Sequence, residues 1–548
     1  MNKPNILTGA LVGGGLMIAV IAVFAAGAAV FSLPFVPFDL FDWLVRTLQT
    51  ELVPRMVQLM SSIIISLQLG RVDTVAKLAE QSMAVIGLIG IGAVAGGVFF
   101  ALRRRSESAG DLPGVVLGLA LGVPLALISQ SVNTTTSLPA LGWIVLVFLV
   151  YGYAVNYVYT TLAYRTRAVP AAPSAAPPNP YVQVIDRRQF LLQVGGATAA
   201  ITVAGAGLSA LLNSGEATAT TSAASTGLVA TPEAVPLPAD LPNASDSVVP
   251  APGTRAEVTP LAEHYRIDIR TTPLEIPAEG YKLRFTSAIN GSSQTVGEMT
   301  LDEIRNDFEP VDAYITMSCI SNPVAGDLIS TILWTGVPMQ RILEAVGVPE
   351  GATHLLIRGG DDFDETVAIE AINADERILL AYAWEGQPLT PKHGFPLRIH
   401  IPDHYGMKQP KWITEIEFIS GDRDGYWVRR GWDKEARVRA TSVIDTVAEP
   451  VQVGDATLVP IGGIAWAGAR GLSRVEISVD GGDWVETELR APISDRTWQI
   501  WRYDWPFEEG THTFDVRCVE ADGTPQIESR AGTFPSGATG IHNVVRRL

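Results

Sequence analysis

A cysteine and a run of cations carry most of the chemistry legible in this chain. Cys319 lies in Ile315-Thr-Met-Ser-Cys-Ile-Ser-Asn-Pro323, where a β-branched run gives way to a loop. A lone thiol at a strand end is either a small buried hydrophobe or, as thiolate, a ligand for a soft metal. Between residues 393 and 411 stand His393, Arg398, His400, His404, Lys408 and Lys411. Cations gathered in this way suit an anionic ligand such as a phosphate. Their field would also lower the pKa of a nearby thiol and favour the metal-ligating form. The second cysteine, Cys518, sits in Phe514-Asp-Val-Arg-Cys-Val519, whose alternation reads as a buried strand position. A Cys319–Cys518 disulfide in an oxidising compartment is the rival to metal ligation.

The elements that must position these groups are short. Tyr281–Phe285, Thr353–Arg358, Leu397–Ile401, Ile413–Phe418 and Gly425–Val428 read as strands between Gly, Pro and Asp punctuation. Leu301–Asn306, Ser330–Val346 and Asp375–Tyr382 read as helical, so residues 259–440 are expected to form an α+β domain. From 441 to 548 nearly everything is strand: Thr457–Ala465, Arg474–Val479, Trp484–Leu489, Trp498–Asp504 and Gly510–Glu520. Asp480-Gly481-Gly482-Asp483 is a hairpin turn, and the pattern suggests an immunoglobulin-like sandwich.

The first two hundred residues are of another kind. Residues 1–213 hold 12 Lys and Arg against 8 Asp and Glu, whereas the whole chain carries a net charge of −17. An apolar part therefore precedes a strongly acidic one, and the acidic part is a poor binder of nucleic acid. Ile6–Phe31, Met83–Leu102, Leu112–Ile128 and Leu141–Leu162 are long enough to cross a bilayer, giving a four-span region over 1–166. Phe38–Gly70 is more amphipathic and is expected at the surface or on the bundle. A fifth apolar run, 190–213, follows a Pro/Ala-rich linker at 167–189.

Arginines set the orientation. Arg103–Arg105, Arg165 with Arg167, and Arg187 with Arg188 all fall in the cytoplasm only if Met1 is inside and everything after Leu212 is outside. The run Asp186-Arg-Arg-Gln-Phe-Leu-Leu192 also has the look of an internal twin-arginine export signal, a route for folded proteins; the plain alternative is a positive-inside flank. Whether the chain is cut after Ala219 stays open. Residues 214–258, rich in Ala, Thr, Ser and Pro, read as a disordered tether. No histidine precedes His264, so the spans hold no bis-histidine haem and no haem is indicated.

Several pieces in order resemble one family. They are the Cys319 segment, Trp334-Thr-Gly-Val-Pro338, Gly386-Gln-Pro-Leu389, His393-Gly-Phe-Pro-Leu-Arg398 and Lys411-Trp412, followed by Ala465-Trp-Ala-Gly-Ala-Arg470 and Ser478-Val-Asp-Gly-Gly482. The stretch from about Ala262 to the C-terminus resembles the sulfite oxidase family of molybdopterin-dependent oxidoreductases. That resemblance implies a molybdenum–molybdopterin cofactor with Cys319 as the metal's protein ligand. It implies cofactor contacts at Tyr265, Arg266, Asp361, His393, Arg398, Gln409 and Lys411, and it offers Arg470 to the substrate pocket.

Two departures bear on the substrate. Cys319 is followed by Ile-Ser-Asn-Pro-Val-Ala, without the arginine pair of animal-type sulfite oxidases. Phe363 stands in the short Asp361–Glu365 loop, and the family's active-site tyrosine has no evident counterpart. The expectation is therefore a multi-pass protein of the cell membrane with an extracytoplasmic catalytic half. Its chemistry is expected to be two-electron oxygen-atom transfer on a small-molecule substrate, such as a sulfoxide. Electrons would pass to or from a quinone, a cytochrome or a membrane subunit. Rival readings are a sulfite-oxidising enzyme, a non-catalytic membrane-anchored binding module of the same fold, and a small transporter or sensor built on the spans.

Overall fold

The computed structural model describes residues 4–48, 52–105, 110–133, 137–165, 240–289, 291 and 293–548. The expected linker at 167–189, the fifth span at 190–213 and the tether as far as 239 lie outside the described residues. Six helices open the chain: α1 (Ile6–Phe31), α2 (Val36–Thr47), α3 (Leu52–Ser66), α4 (Val72–Arg105), α5 (Leu112–Val132) and α6 (Leu138–Arg165). The chain divides into two compact units. One takes α1, α2, α4 from Lys77 onward, α5 and α6; the other takes residues 48–76 together with the chain from 240 to the end.

In the first unit, α1, α4, α5 and α6 are each long and apolar enough to cross a membrane. Lipid gives helices no hydrophobic reason to associate, so close backbone approach matters. Gly9 and Gly13 of α1 lie against Gly92 and Gly96 of α4, and the carbonyls there leave no room for a Cβ. Tyr151 donates to both the Gly13 and Gly92 carbonyls, at 3.2 and 2.9 Å. Asp39 of α2 accepts from Ser129 and Asn133, at 2.6 and 2.8 Å, so this carboxylate is satisfied although buried.

In the second unit, residues 271 to 440 form two sheets. One runs Gln294–Thr300, Lys282–Ser287, Ile413–Ile419, His354–Gly359, Asp364–Ala368, and only the Lys282–Ser287 and Ile413–Ile419 pair is parallel. The other runs Val311–Ser318, Ile329–Pro338, Leu379–Trp384, with Arg398–His400 also paired to the last of these. Short helices cover the first sheet. Leu301–Asn306 begins in a capping box in which Thr300 and Glu303 satisfy each other's backbone N–H groups.

Three sequence expectations are corrected here. Residues 330–338 are strand, not helix: all ten positions of Ile329–Pro338 are buried, so no alternation marks it. The helix that follows is only Met339–Val346, and the strand Leu379–Trp384 takes the second half of the expected helix at 375–382. Gly425–Val428 is not a strand. Gly425 is wedged against the Glu365 carboxylate, and Tyr426 stacks near Phe363 at 5.5 Å.

The expected sandwich is present. Thr441–Val447, Ala456–Trp466, Gln499–Pro506 and Glu488–Leu489 form one sheet, and Val485–Glu486, Leu472–Val479, Thr511–Glu520 and His542–Arg547 the other. Val459, Ile461, Trp501, Val475, Ile477, Phe514 and Cys518 fill the space between them. Asp480 and Gly481 both have positive φ, the hairpin geometry expected from the Asp-Gly-Gly-Asp run. The part of the tether from 240 to 258 is packed, not free. Arg490 donates to the Asn243 and Val248 carbonyls and pairs with Glu257, and Arg255 pairs with Asp445 at 2.6 Å.

Candidate functional site

Cys319 follows the last residue of the strand Val311–Ser318. Its N–H donates to the Leu328 carbonyl, closing the 319–328 loop, and Asn322 holds that loop by accepting from the Leu328 N–H at 3.0 Å. The thiol lies 3.0 Å from the Ser321 hydroxyl. Burial pushes the Cys319 thiol up, against the opposing pull of Ser321. The expected lowering by surrounding cations is therefore not what the protein alone produces. Both cysteines are free and buried, so the disulfide rival falls. Cys518 stands in the sandwich core beside Gln526, its thiol pushed up to about 12 by burial.

Around the edge of the second sheet the sequence gathers a buried aromatic and cationic cradle. His264, His393, Trp334, Trp384 and His400 form a continuous ring cluster: His264–His393 and Trp384–His393 centroids are 4.8 Å apart, and Trp334–His400 4.3 Å. The Arg398 guanidinium lies over Trp334 at 4.8 Å. It donates to the His393 carbonyl at 3.1 Å and touches the Met317 sulfur, while its Nε has no partner among the described residues. His400 Nε2 and Trp334 Nε1 are likewise unpartnered, and Gln409 holds the other His400 nitrogen at 3.0 Å. Burial, reinforced by Arg398 and its neighbours, keeps His264, His393 and His400 well below the usual imidazole range, hence neutral. Arg398 itself is pushed down to about 10 by burial.

Lys411 extends this cradle. It bonds Asp268 at 3.0 Å and lies over the Trp412 ring, and burial pushes it down to about 8. Asp268 also takes Arg266 at 2.8 Å. The Arg266 backbone N–H donates to Asp73 at 3.0 Å, at the far end of the segment 48–76 that belongs to this unit. Tyr265 packs in one apolar cluster with Met317 and Cys319. The structure thus brings Tyr265, Arg266, His393, Arg398, Gln409 and Lys411 around one cradle beside Cys319.

Three more residues of the expected set are held by other contacts. Asp361 accepts the Phe363 N–H at 3.2 Å and caps its own turn, in which Asp362 has positive φ. Lys408 is spent on the buried Glu365 at 2.6 Å. The Arg470 guanidinium is taken by Asp403, Glu520 and the carbonyl of Val438, a residue that lines the pocket at the seam between domain and sandwich.

That pocket is lined by Ser318, Asn322, Val324, Tyr405, Arg439 and Trp466, among others. Two of these were not singled out from the sequence. Tyr405 accepts the Arg439 N–H at 3.1 Å, and its phenol is pushed up to about 12 by burial. The Arg439 side chain donates to the Ser536 carbonyl at 3.3 Å. A tyrosine directly after His404 was the available signal for the first; for the second there was none, since the pocket exists only where the sandwich meets the domain.

The donor set fits a molybdopterin. A buried guanidinium without a carboxylate is costly unless an anion completes it, and the Arg398 Nε–H and Trp334 Nε1–H, both without a partner among the described residues, present two such donors. Comparison with known proteins agrees. The family description "Oxidoreductase molybdopterin binding domain" matches residues 271–427. Human mitochondrial sulfite oxidase is 26% identical over 290 residues, covering 44% of this chain and 52% of its own. Sulfite oxidase of Arabidopsis thaliana is 27% identical over 341 residues, covering 52% and 84%. Nitrate reductase [NADH] 1 of Oryza sativa is 25% identical over 340 residues, covering 50% and 35%. The chain spans about half the length of the animal sulfite oxidases it matches. Among solved structures, the sulfane dehydrogenase SoxCD of Paracoccus pantotrophus aligns with 60% of this chain and 94% of its own, at 18% identity and a TM-score of 0.46. Residues 271–427 thus match a molybdopterin-binding oxidoreductase domain, and about half of the chain is similar to sulfite oxidases.

Proposed function

We propose that the chain is a membrane-anchored molybdenum enzyme whose catalytic half lies outside the cytoplasm and which transfers an oxygen atom to or from a small oxo substrate such as a sulfoxide. The observation that carries this reading is Arg398, buried without a carboxylate beside the neutral His393 and His400. Arg398, His393 and Lys411 would grip the pterin and its phosphate, Tyr265 and Arg266 would border it, and Gln409 would fix His400. Cys319 would be the metal's protein ligand. The bound cofactor supplies a metal that cycles through two electrons while an oxygen atom is exchanged. Sulfoxide reduction consumes two electrons and two protons and releases sulfide and water, so a quinone, a cytochrome or a membrane subunit must donate the electrons.

In the pocket, the Tyr405 oxygen accepts from Arg439, which leaves its hydrogen free to be donated to an S=O oxygen. Arg439 is also the observation that favours the runner-up, sulfite oxidation, because it adds a cation next to the uncharged run after Cys319. Steady-state turnover with sulfite and with methionine sulfoxide separates the two. Sulfite turnover on the order of 10⁴ M⁻¹s⁻¹ or better would replace the sulfoxide reading. Metal analysis of the purified protein tests both; protein made in cofactor-competent cells without molybdenum overturns them together.

Packing bears on the number of crossings. Residues 48–76 pack on the catalytic half, and α4, α5 and α6 follow. If these three cross, the chain after Arg165 starts on the opposite side, which is what the expected fifth span would answer. Replacing Arg187 and Arg188 with Lys keeps the charge and should block a twin-arginine route. If the catalytic half still crosses with cofactor bound, the pair is only a topology flank.

A further inference from the structure

We propose that α3 and the turn after it form a two-faced strap, one face seated on the cofactor-binding domain and the other lying in the headgroup layer of the bilayer. This rests on the membrane spans and not on the oxygen-transfer reading. Val53, Ser61 and Ile64 of α3 are buried, a helical spacing that defines one face. Ile64 and Met60 join the apolar cluster that contains Tyr265, Met317 and Cys319, and Val72 and Ala76 join it further on. Polar contacts pin the same segment: Arg71 donates to the Glu263 carbonyl at 2.7 Å, the Val72 N–H donates to Asp327 at 3.0 Å, and Asp73 accepts from Arg266.

Beside that seated face runs an exposed apolar row: Met56, Leu59 and Ile63 are exposed by 50%, 61% and 44%. Ile65, Leu67 and Leu69 are exposed too, and the exposed Arg55, Ser62 and Ser66 supply the polar edge that a headgroup layer accepts. A soluble surface seldom carries so many large apolar side chains together. The occupant that the chain itself supplies is lipid. α4 begins at Val72, three residues after Leu69; its first turns carry Asp73, Lys77 and Glu80, and the apolar stretch that can cross a bilayer follows from about Met83, so the strap lies beside the point of membrane entry. A helix of this kind rests with its apolar face about 5–10 Å into the boundary between headgroups and acyl chains. The strap would then hold the wall of the cofactor site at the membrane surface.

The test uses the full-length holoprotein in phosphatidylcholine–phosphatidylglycerol proteoliposomes. Cys518→Ser removes the spare thiol, and a nitroxide is attached at Met56→Cys, Leu59→Cys or Ile63→Cys, with exposed Glu350→Cys and Asp522→Cys as references. Collision rates with oxygen and with a water-soluble nickel chelate are measured, and molybdenum content confirms that each variant is folded. In lipid, the three strap positions should favour oxygen over nickel several-fold relative to the references. Equal accessibility to both quenchers at strap and reference sites would place the face in water and overturn the proposal. Protection from both quenchers would show that protein covers the face, a second copy or another partner, and would overturn it too.

Discussion

Two arginines behave in opposite ways. Arg470, at the seam between domain and sandwich, is surrounded by Asp403 and Glu520, and its pKa is raised by those contacts against the pull of burial. Arg398, in the cradle, is more deeply buried and has a carbonyl and a thioether for company. The first is a structural joint whose charge is answered within the chain. The second is a charge the fold leaves unanswered, which is the signature of a place meant for an anion from outside.

The comparison can be pressed hardest at the metal. Cys319→Ser should keep cofactor, because Arg398, His393 and Lys411 still hold the pterin, yet activity should fall by orders of magnitude as a soft donor becomes a hard one. Metal absorption and paramagnetic spectra should change with it; unaltered turnover would remove Cys319 from the first shell. Next comes a crossed pair. Arg398→Met should strip molybdenum from the protein while leaving the cofactor-free chain as stable as before or more so, since an unanswered buried cation is gone. Arg470→Met should do the reverse, keeping molybdenum and costing about 2 kcal/mol in denaturant unfolding, because Glu520 loses its cation and Asp403 keeps only the exposed Arg437. Equal molybdenum loss in both variants would erase the distinction.

A smaller effect concerns pH. Lys411 is pushed down to about 8 when folded, against an ordinary lysine value of 10.5. Between those values the unfolded chain binds more protons than the folded one, so cofactor-free stability should rise as pH goes from 8 to 10.5. A bound anion would restore the charge, so cofactor loading should fade over the same interval; loading that is flat in pH would mean Lys411 does not meet the anion. The smallest effect is expected at Cys518→Ser: unchanged spectra and activity, with a loss of about 1 kcal/mol from a hydroxyl in the sandwich core.

What the sequence disclosed follows from range. The Asp480-Gly481 turn and the strands on either side were legible because hairpin chemistry is local. So were His393, Arg398 and Lys411, whose neighbours in the chain resemble a known family. Ile329–Pro338 was misread because a strand buried along its whole length shows no period. Residues 240–258 read as tether because their composition is poor, whereas Asp445 and Arg490 reach them from 190 and 247 positions away. Tyr405 and Arg439 escaped for the same reason: they meet at a surface that neither stretch of chain forms alone.

The hook between Asp73 and Arg266 joins residues 193 positions apart. On the ribosome the strap emerges early and its partner late. At about 5–20 residues per second, the interval between residue 76 and the end of the cofactor-binding domain at 440 is tens of seconds. During that time the inner apolar face of α3 has nothing of its own chain to rest on. A resting place on the membrane would shelter it, and the catalytic half, arriving last, would close onto a strap already laid down. Maturation then has a defined final step, the docking of a finished domain onto a waiting helix, and anything that delays that domain leaves the strap exposed to misassembly.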